Sequence, residues 1–410
     1  MTAMRILMVT DFYPPLVGGV EVVVSALARG LSRRGHEVSV ATIGTNGAAP
    51  LSVDDGIRIH RIQLTAARVD ALFTQRRPWA PPVPDPEAVA ALRRIVRDER
   101  PHVVHGHDWL ARSFIPLKRG ARAAFVMSLH YYTSTCAKKS LMYRGEPCAG
   151  PGLLKCLQCA GDHYGRARGA VVTLGNFAFA AAERAVVDTF LPVSEATAAG
   201  NALGPGAPYE VIPNFLLPPA PLGDRERSLL SELPEEPFVL FVGDLRREKG
   251  IEVLLEAYGG LVESPPLVLI GKVWDESPRR LPENVRLFRE WPNSAVREAQ
   301  RRSLALVLPS LWPEPFGMVV LEALAAGRPV IGSRIGGIAD LVQHERNGVL
   351  VEPGNVGALR VALERVGSDA QLRARLGREA VRASSAYSEA AVVPRVEAAY
   401  RRARERACRS

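Results

Sequence analysis

The chain has 410 residues, more than one domain usually contains, so two domains of similar size are predicted. Hydrophobic residues make up 47% of it and charged residues 23%, a balance that excludes a disordered chain. The net charge of +9 favours anionic partners such as a nucleotide diphosphate or a membrane surface, and because no nucleic-acid-binding motif accompanies it, nucleic acid is not an expected partner.

The start of the chain carries only a short apolar run. Asp11 interrupts this run, which is too short for the apolar region of a signal peptide. No stretch approaches about 20 uninterrupted apolar residues, so no transmembrane helix is expected. The sequence therefore predicts a cytoplasmic protein with reduced cysteines, and it leaves open a peripheral attachment to the inner face of the membrane.

Short apolar strands alternate with helical segments in the first half of the chain. A strand at residues 6–9, a helix over 20–33 and a strand at 36–42 predict a βαβ unit. Further strands are predicted at residues 103–105, 125–129, 170–174, 190–193 and 209–212. Residues 1–215 are therefore expected to form a Rossmann-like domain around a doubly wound parallel sheet.

A similar alternation begins again after residues 213–237, which are rich in proline and charge and are the predicted linker. A second Rossmann-like domain is predicted over residues 236–385, and a terminal helix over 386–410. The elements expected in this second domain are strands at 238–242, 267–270, 304–308 and 329–332 and a helix at 251–258.

The most informative segment of the second half runs from Glu314 to Glu322. Its Pro-Phe-Gly entry is non-helical, whereas residues 318–326 are good helix formers that end at Gly327. Glu314 is thus predicted to lie before a helix and Glu322 inside it. Two glutamates at this spacing are common on solvated helices, but the apolar neighbours of Glu322 leave little polar face here.

A helix start presents unpaired backbone N–H groups and attracts anions. The N–H groups at Phe316, Gly317 and Met318 are therefore candidate donors to a diphosphate. Glu322, one turn further, is a candidate acceptor for ribose hydroxyls. Together these features predict a nucleotide site.

The loop after the first strand carries Gly18 and Gly19 at a predicted helix start. Without a Cβ, paired glycines let phosphate or sugar approach the backbone closely, although a tight turn is the alternative interpretation. Their spacing is not Gly-x-Gly-x-x-Gly, which counts against a nicotinamide-dependent dehydrogenase.

The segment from Glu314 to Glu322 resembles the Glu-x7-Glu signature of glycosyltransferase family 4, and the match extends from Ser310 to Gly337. The resemblance implies a GT-B fold: two Rossmann-like domains that face a cleft, with the last helix crossing back to the N-terminal domain. It also implies retaining transfer of a hexosyl group from a nucleotide diphosphate sugar, a UDP- or GDP-sugar, to a hydroxyl acceptor. The acceptor could be a glycan, a lipid-linked molecule or a small molecule.

No cofactor is expected for transfer, because the sequence has no Asp-x-Asp pair of the kind that binds a metal–diphosphate complex and its basic residues can neutralise the diphosphate. The resemblance further implies roles for single residues. Lys249 would hold the leaving diphosphate, Glu314 the sugar hydroxyls, and His130 would lie near the reaction centre. These three are the candidate catalytic residues. Asp244 departs from the family pattern, in which arginine is common after the glycine. The full donor-binding set is Gly18, Gly19, Arg246, Arg247, Lys249, Glu314, Phe316, Gly317, Met318 and Glu322.

Three histidines lie near the ends of two predicted strands, where a doubly wound sheet binds its ligands. His105 is interpreted as a structural histidine, whereas His107 is left open between a structural and a functional role, and His130 matches the family histidine. A proline-rich loop over residues 65–86 also contains arginines and Trp79, and is either an acceptor-binding loop or a surface excursion.

Four of the five cysteines fall in a predicted insertion over residues 131–165. Cys-x2-Cys spacing and four thiolates are typical of a structural zinc site, although the same ligands bind iron–sulfur clusters. Reduced thiols and two disulfides are the other interpretations. The candidate ligands are Cys136, Cys148, Cys156 and Cys159.

Two rival functions remain open at this point. A nucleotide-sugar-using synthase or a phosphorylase would run related chemistry on a free sugar or on phosphate. A nucleotide-sugar-binding protein without turnover is the alternative outside the enzymes, and Asp244 is the only feature that points to it.

Overall fold

The structure is a computed structural model that describes residues 2–14, 18–44, 47–68, 79–204 and 206–409. It divides into two compact units. The first comprises Met1–Arg144, Cys148–Phe215 and Glu389–Ser410, and the second comprises Gly145–Pro147 and Leu216–Ser388. Within the described part of the chain, no helix is long and apolar enough to span a membrane.

Up to residue 215 the chain alternates strands and helices, with a 3₁₀ helix at Trp109–Leu117. The elements are β1 (Arg5–Thr10), α1 (Gly19–Arg33), β2 (Glu37–Ile43), β3 (Leu51–Asp54), β4 (Ile57–Ile62), α2 (Pro86–Glu99), β5 (Val103–Gly106), β6 (Ala124–Leu129), β7 (Met142–Tyr143), β8 (Glu146–Pro147), α3 (Leu153–Tyr164), α4 (Arg166–Val186), β9 (Thr189–Pro192) and α5 (Glu195–Gly200).

Seven of these strands form one sheet, in the order β3-β4-β2-β1-β5-β6-β9. All neighbouring strands are parallel except β3 and β4, which pair antiparallel. The central strand β1 is buried almost along its whole length, as expected for a parallel sheet covered on both faces. The carboxyl ends of β1, β5 and β6 therefore open onto the same edge of the sheet.

Beyond residue 215 the chain forms a second α/β unit and a terminal helix, with a 3₁₀ helix at Arg247–Lys249. The elements are α6 (Asp224–Leu230), β10 (Val239–Val242), α7 (Ile251–Gly259), β11 (Leu267–Gly271), β12 (Val285–Arg289), α8 (Asn293–Arg302), β13 (Ala305–Leu308), α9 (Met318–Ala325), β14 (Val330–Ser333), α10 (Gly336–Leu341), β15 (Gly348–Val351), α11 (Val356–Ser368), α12 (Ala370–Ser384) and α13 (Glu389–Ala407).

The second sheet has six strands in the order β12-β11-β10-β13-β14-β15, and every pair is parallel. Its strands β10 and β13 are entirely buried. In the sequence both strands appear as continuous apolar runs, because helices cover both faces of a parallel sheet. Each half of the chain thus forms the Rossmann-like sheet that the alternation predicts.

The last helix, α13, packs within the first unit although it follows the second in sequence. The Tyr400 hydroxyl lies 2.7 Å from His105 Nδ1 on β5. The buried carboxylate of Glu397 accepts hydrogen bonds from Arg34 and lies 2.9 Å from His36 Nε2. These contacts hold the end of the chain against the first sheet.

Two predicted strands are wrong. Residues 170–174 lie inside the helix α4 (Arg166–Val186), where the buried positions recur at helical spacing while Val171 and Leu174 are exposed. Residues 209–212 form only an isolated bridge, from Tyr209 to Phe190. The predicted linker 213–237 also contains a short helix, α6.

Candidate active site

The second unit brings Lys249 and Glu314 together at the carboxyl end of its sheet. Lys249 Nζ lies 2.5 Å from Glu314 Oε1, and the two side chains are 20% and 8% exposed. The Ser310 hydroxyl lies 3.4 Å from the same oxygen, and the Lys249 ammonium lies 4.6 Å from the centroid of the Trp312 ring. The structure thus places a cation and a carboxylate in one partly open polar cluster.

Two glycines permit this arrangement. Gly250 has a positive φ of 75°, and a Cβ there would lie 1.9 Å from the Pro309 carbonyl oxygen. Gly336 has φ +58°, and its Cβ would lie 2.5 Å from the backbone nitrogen of Glu314. Since no other residue tolerates such approaches, both glycines serve to pack the turn of Lys249 and the loop of Glu314 onto neighbouring backbone.

The helix predicted over residues 318–326 is present as α9, Met318–Ala325. Gly317 precedes it in the left-handed conformation, and Gly327 follows it with φ +70°. Phe316 is buried, 5% exposed, at the entry to this helix. The backbone of Phe316, Gly317 and Met318 therefore stands at a helix N-terminus, the position expected of a phosphate-binding turn.

Glu322 is buried on α9, as its apolar neighbours in the sequence indicate. Asn293 Nδ2 donates to Glu322 Oε1 across 3.2 Å. Burial raises the pKa of Glu322, while the hydrogen bond from Asn293 and the charge of Arg297 oppose that rise. Asn293 and Arg297, at the start of α8, are functional candidates that sequence reasoning missed, because no motif links them to Glu322.

The two arginines beside Asp244 have different surroundings. Arg246 Nε donates to Glu276 Oε1 across 2.9 Å, and its guanidinium lies 4.9 Å from the centroid of the Trp274 ring. Arg247 is exposed at the start of the 3₁₀ helix that carries Lys249. Arg246 is thus engaged with Glu276 rather than with the pair formed by Lys249 and Glu314.

In the first unit, His107 and His130 lie side by side at the carboxyl ends of β5 and β6. His107 Nδ1 is 3.1 Å from His130 Nε2, and both rings are buried. Among the described residues neither His107 Nε2 nor His130 Nδ1 has a hydrogen-bond partner. Burial lowers the pKa of His107 well below its ordinary value and that of His130 to about 4, so both rings are neutral near pH 7.

His105 differs from these two histidines. Its Nδ1 lies 2.7 Å from the Tyr400 hydroxyl and its Nε2 lies 2.8 Å from Ser128 Oγ. Both ring nitrogens therefore have partners within the fold, as a structural histidine requires.

Two aspartates at the same sheet edge escaped the sequence analysis. Asp11 Oδ1 accepts from the Leu110 N–H across 2.8 Å, whereas Oδ2 has no partner among the described residues. Burial and the neighbouring Asp108 raise the pKa of Asp11 to about 7. Lys139 bonds Asp108 Oδ1 across 2.7 Å. Asp11 and Asp108 closely follow β1 and β5, a position that could have identified them.

Lys139 belongs to the cysteine-bearing insertion, yet it contacts this sheet edge. Its ammonium lies 4.2 Å from the centroid of the Trp109 ring and 4.8 Å from that of Trp79. Such cation–aromatic contacts add to the ion pair with Asp108. Of the proline-rich loop, Arg68 pairs with Glu87 at 2.8 Å, whereas residues 69–78 lie outside the described residues.

Gly18 and Gly19 stand at the start of α1, with Gly18 as the N-cap residue in an extended conformation. Among the described residues, a Cβ built on Gly19 would meet nothing within 4 Å, whereas one built on Gly18 would lie 2.3 Å from Glu21 Oε2. A role of this helix start in binding phosphate or sugar stays a prediction. Residues 15–17 of this loop lie outside the described residues.

Cys136, Cys148, Cys156 and Cys159 are free thiols that line one pocket of the insertion. As the side chains stand, no group of three or more His, Cys, Asp or Glu residues in the described part of the chain is arranged to hold a metal ion. A zinc site in the insertion therefore stays a prediction.

The family comparison covers both halves of the chain. The family described as glycosyl transferase 4-like domain matches residues 18–214, and the family described as glycosyl transferases group 1 matches residues 224–382. An uncharacterized glycosyltransferase of Methanocaldococcus jannaschii is 27% identical over 384 residues, 89% of this chain and 90% of the relative. A glycogen synthase of Mycobacterium tuberculosis is 28% identical over 406 residues, 92% of this chain and 90% of the relative.

Solved structures resemble the chain over nearly its whole length. A sucrose-phosphate synthase from Thermosynechococcus elongatus has a TM-score of 0.71 at 21% identity, covering 97% of this chain and 98% of the other. HepE from Anabaena, solved with UDP, has a TM-score of 0.66 at 17% identity, covering 97% and 99%. The two family models, which together match most of the chain, show that it belongs to glycosyltransferase family 4. The likeness to the solved structures shows that it has the GT-B fold.

Proposed function

We propose that the protein transfers a hexosyl group from a nucleotide diphosphate sugar to a hydroxyl acceptor, with retention of configuration at the anomeric carbon. The observation that carries this proposal is the ion pair of Lys249 and Glu314, 2.5 Å long, at the carboxyl end of the second sheet. It lies in the part of the chain that matches the glycosyl transferases group 1 family.

Lys249 serves the leaving group in this proposal. As the glycosidic bond breaks, negative charge grows on the diphosphate, and a cation held in place lowers the barrier. In the structure Glu314 keeps the ammonium of Lys249 in position, and the Trp312 ring lies against it. When a donor binds, its diphosphate also pairs with the Lys249 ammonium. The Glu314 carboxylate can then accept hydrogen bonds from sugar hydroxyls.

Glu322 binds the ribose of the donor. A buried carboxylate that has one amide donor, Asn293, keeps further acceptor capacity on its oxygens. Two vicinal hydroxyls are suitable donors for those oxygens, and the helix start at Gly317 and Met318 supports the diphosphate. Burial raises the pKa of Glu322 because it removes water from the ionised carboxylate, and hydrogen bonds donated by ribose hydroxyls would offset that cost.

Retention follows without a protein nucleophile if the acceptor attacks from the face that the diphosphate leaves. The sugar then passes through an oxocarbenium-like state, and the departing phosphate oxygen takes the proton of the acceptor hydroxyl. Uncharged His130 is suited to a hydrogen bond with the donor sugar, since burial keeps its ring neutral. Asp11, whose Oδ2 has no hydrogen-bond partner within the described part of the chain, is suited to an acceptor hydroxyl.

The test is a panel of UDP-, GDP- and ADP-sugars added to the purified protein. HepE has been solved with UDP-glucose, which makes this sugar a sensible first donor. Binding raises the melting temperature by an amount that grows with the logarithm of donor concentration over Kd. We expect one nucleotide class to raise it and to release nucleoside diphosphate when acceptor sugars are added.

The anomeric configuration of the product, followed by NMR, decides the stereochemistry. A product with the configuration of the donor is expected, and an inverted product contradicts the proposal. A donor that binds without any hydrolysis or transfer points to a binding protein instead. Consumption of inorganic phosphate in place of nucleotide release points to a phosphorylase.

A further inference from the structure

Four cysteines meet in one pocket of the insertion, although they come from three separate pieces of chain. Cys136 follows the turn after β6, with its N–H bonded to the Tyr132 carbonyl at 2.8 Å. Cys148 follows the β7–β8 hairpin, with its N–H bonded to the Leu141 carbonyl at 2.8 Å. Cys156 and Cys159 lie three residues apart on α3, and therefore on one face of the helix. All four line the same pocket.

Backbone N–H groups point at two of the sulfur atoms. Leu141 N–H donates to Cys136 Sγ across 3.4 Å, and Gly152 N–H donates to Cys156 Sγ across 3.5 Å. A neutral thiol is a weak acceptor, whereas a thiolate gains much more from such donors. Cys136 and Cys156 therefore already have donors suited to a thiolate. Cys148 and Cys159 instead donate as thiols to the carbonyls of Gly150 and Met142, across 3.3 Å and 3.6 Å, and have to turn away from them to bind a metal.

The lysines of the insertion support the same interpretation. Lys138 and Lys155 both line the pocket. The Lys155 ammonium donates to the Gly150 carbonyl, which also accepts from Cys148 Sγ across 3.3 Å. Positive charge at the rim offsets the net charge of −2 that one divalent cation and four thiolates carry together.

We propose that this pocket binds one zinc ion through Cys136, Cys148, Cys156 and Cys159. Binding converts four thiols to thiolates and releases four protons, with no change of oxidation state at zinc or sulfur. Zinc binds each sulfur at a Zn–S distance of about 2.3 Å. The described side chains are not arranged this way as they stand, so the four sulfurs have to rotate towards one another on binding. The ion then closes the pocket and supplies folding free energy to the insertion.

Metal binding also affects the position of Lys139 at the edge of the first sheet. This effect does not depend on the function proposed above. Lys139, three residues after Cys136, bonds Asp108 and lies against the Trp109 ring. Lys139 N–H also donates to the carbonyl of Cys136 across 2.9 Å. A metal on Cys136 therefore holds Lys139 in place beside Asp108 and Asp11.

The experiment measures zinc and iron by elemental analysis in protein purified without chelator. We expect about one zinc per chain, no iron–sulfur absorbance and tetrahedral thiolate bands after cobalt substitution. Thiols counted in denaturant with chelator and no reductant should number five, the full cysteine content. Cys136→Ser and Cys156→Ser should each lose zinc and melt at a lower temperature. Cys408→Ser, at an exposed cysteine outside the insertion, should keep the zinc content and the melting temperature of the unaltered protein.

Several results overturn the proposal. They are zinc below about half an equivalent, an iron–sulfur spectrum, or a count of one thiol, which means two disulfides. Zinc retained in both serine variants means that it binds elsewhere. If those variants do not fold, the zinc content, cobalt spectrum and thiol count of the unaltered protein still decide.

Discussion

The two units hold their polar clusters in opposite electrostatic states. In the second unit, Lys249 and Glu314 form a charged pair that is still partly exposed, with side chains 20% and 8% accessible. In the first unit, His107, His130 and Asp11 are buried. There, burial lowers the pKa of both histidines and raises that of Asp11 to about 7.

This difference follows from solvation. A charge is tolerated where water or an opposite charge remains near it, and the second unit supplies both for Lys249. Burial without an opposite charge in contact favours the neutral form of a titratable group. The contrast is between two clusters rather than whole units, because the first unit also carries the charged pair of Lys139 and Asp108. The cluster of Lys249 and Glu314 is therefore suited to an anionic diphosphate, and that of His107, His130 and Asp11 to uncharged hydroxyl groups. Four predictions test this contrast.

Removal of the charged pair should have the largest effect. Lys249→Ala removes the cation from the leaving group, and loss of one such electrostatic group lowers kcat by about 10²–10³-fold. Steady-state kinetics with a saturating nucleotide sugar measures this loss, and circular dichroism checks that the fold is intact.

Arg246→Ala is the matched control for Lys249→Ala, and Arg247→Ala tests whether the neighbouring arginine shares the diphosphate role. Arg246 already pairs with Glu276 at 2.9 Å, so its removal should lower kcat much less than removal of Lys249. Arg247 is exposed beside Lys249 and is the arginine better placed to replace the one that Asp244 displaces. Full activity in all three variants contradicts the diphosphate role of this turn.

Glu322→Gln should have the next largest effect. It preserves the shape of the side chain but removes a charged acceptor, at a cost of about 1.5–3 kcal/mol, or roughly ten- to a hundredfold in donor affinity. Calorimetric titration with the nucleoside diphosphate alone isolates the ribose contact from the sugar. Glu298→Gln, at a partly exposed glutamate of α8 that pairs with Arg301, is the control. Unchanged affinity in Glu322→Gln would falsify the ribose assignment.

The neutral histidines should produce a pH effect on stability. The folded pKa of His130 is about 4, below its ordinary value of 6.5. Above pH 6.5 neither the folded nor the unfolded state is protonated at this group, and its contribution is fully present. As the pH falls from 6.5 to about 4, only the unfolded state takes up the proton, so the free energy of unfolding falls.

His130→Gln should reduce this acid loss, because glutamine does not titrate. Urea unfolding at pH 7.5 and pH 5 measures the loss in each variant, and the loss should be smaller in His130→Gln than in the unaltered protein. His163→Gln, at an exposed histidine of α3, should leave the loss unchanged. An equal acid loss in all three proteins means that His130 is not held neutral by burial.

The smallest expected effect is that of metal removal on transfer itself. The chain has no Asp-x-Asp pair of the kind that binds a metal–diphosphate complex, and Lys249 can neutralise the leaving group. EDTA should therefore leave kcat unchanged in protein shown to keep its zinc. Activity that EDTA abolishes and Mg²⁺ or Mn²⁺ restores would show that transfer needs a divalent metal.

Local pattern was enough to predict much of this protein. The strand predicted at residues 6–9 lies within β1 (Arg5–Thr10), and the helix predicted from Met318 is α9. Both are recognised from neighbouring residues, through continuous apolar runs and helix-ending glycine. The strand predicted at 170–174 is wrong for a related reason, since five residues of mixed character do not distinguish a strand from one turn of α4.

Contacts between residues distant in sequence were decided by the tertiary structure alone. Lys249 and Glu314 are 65 positions apart, and His105 and Tyr400 are 295 apart. Lys139 contacts Asp108, 31 positions away, from the insertion that carries the four cysteines. The sequence alone determined which residue types follow each strand. Which of them are paired, buried or neutral depends on strand order, because burial and partners arise only when the chain has folded.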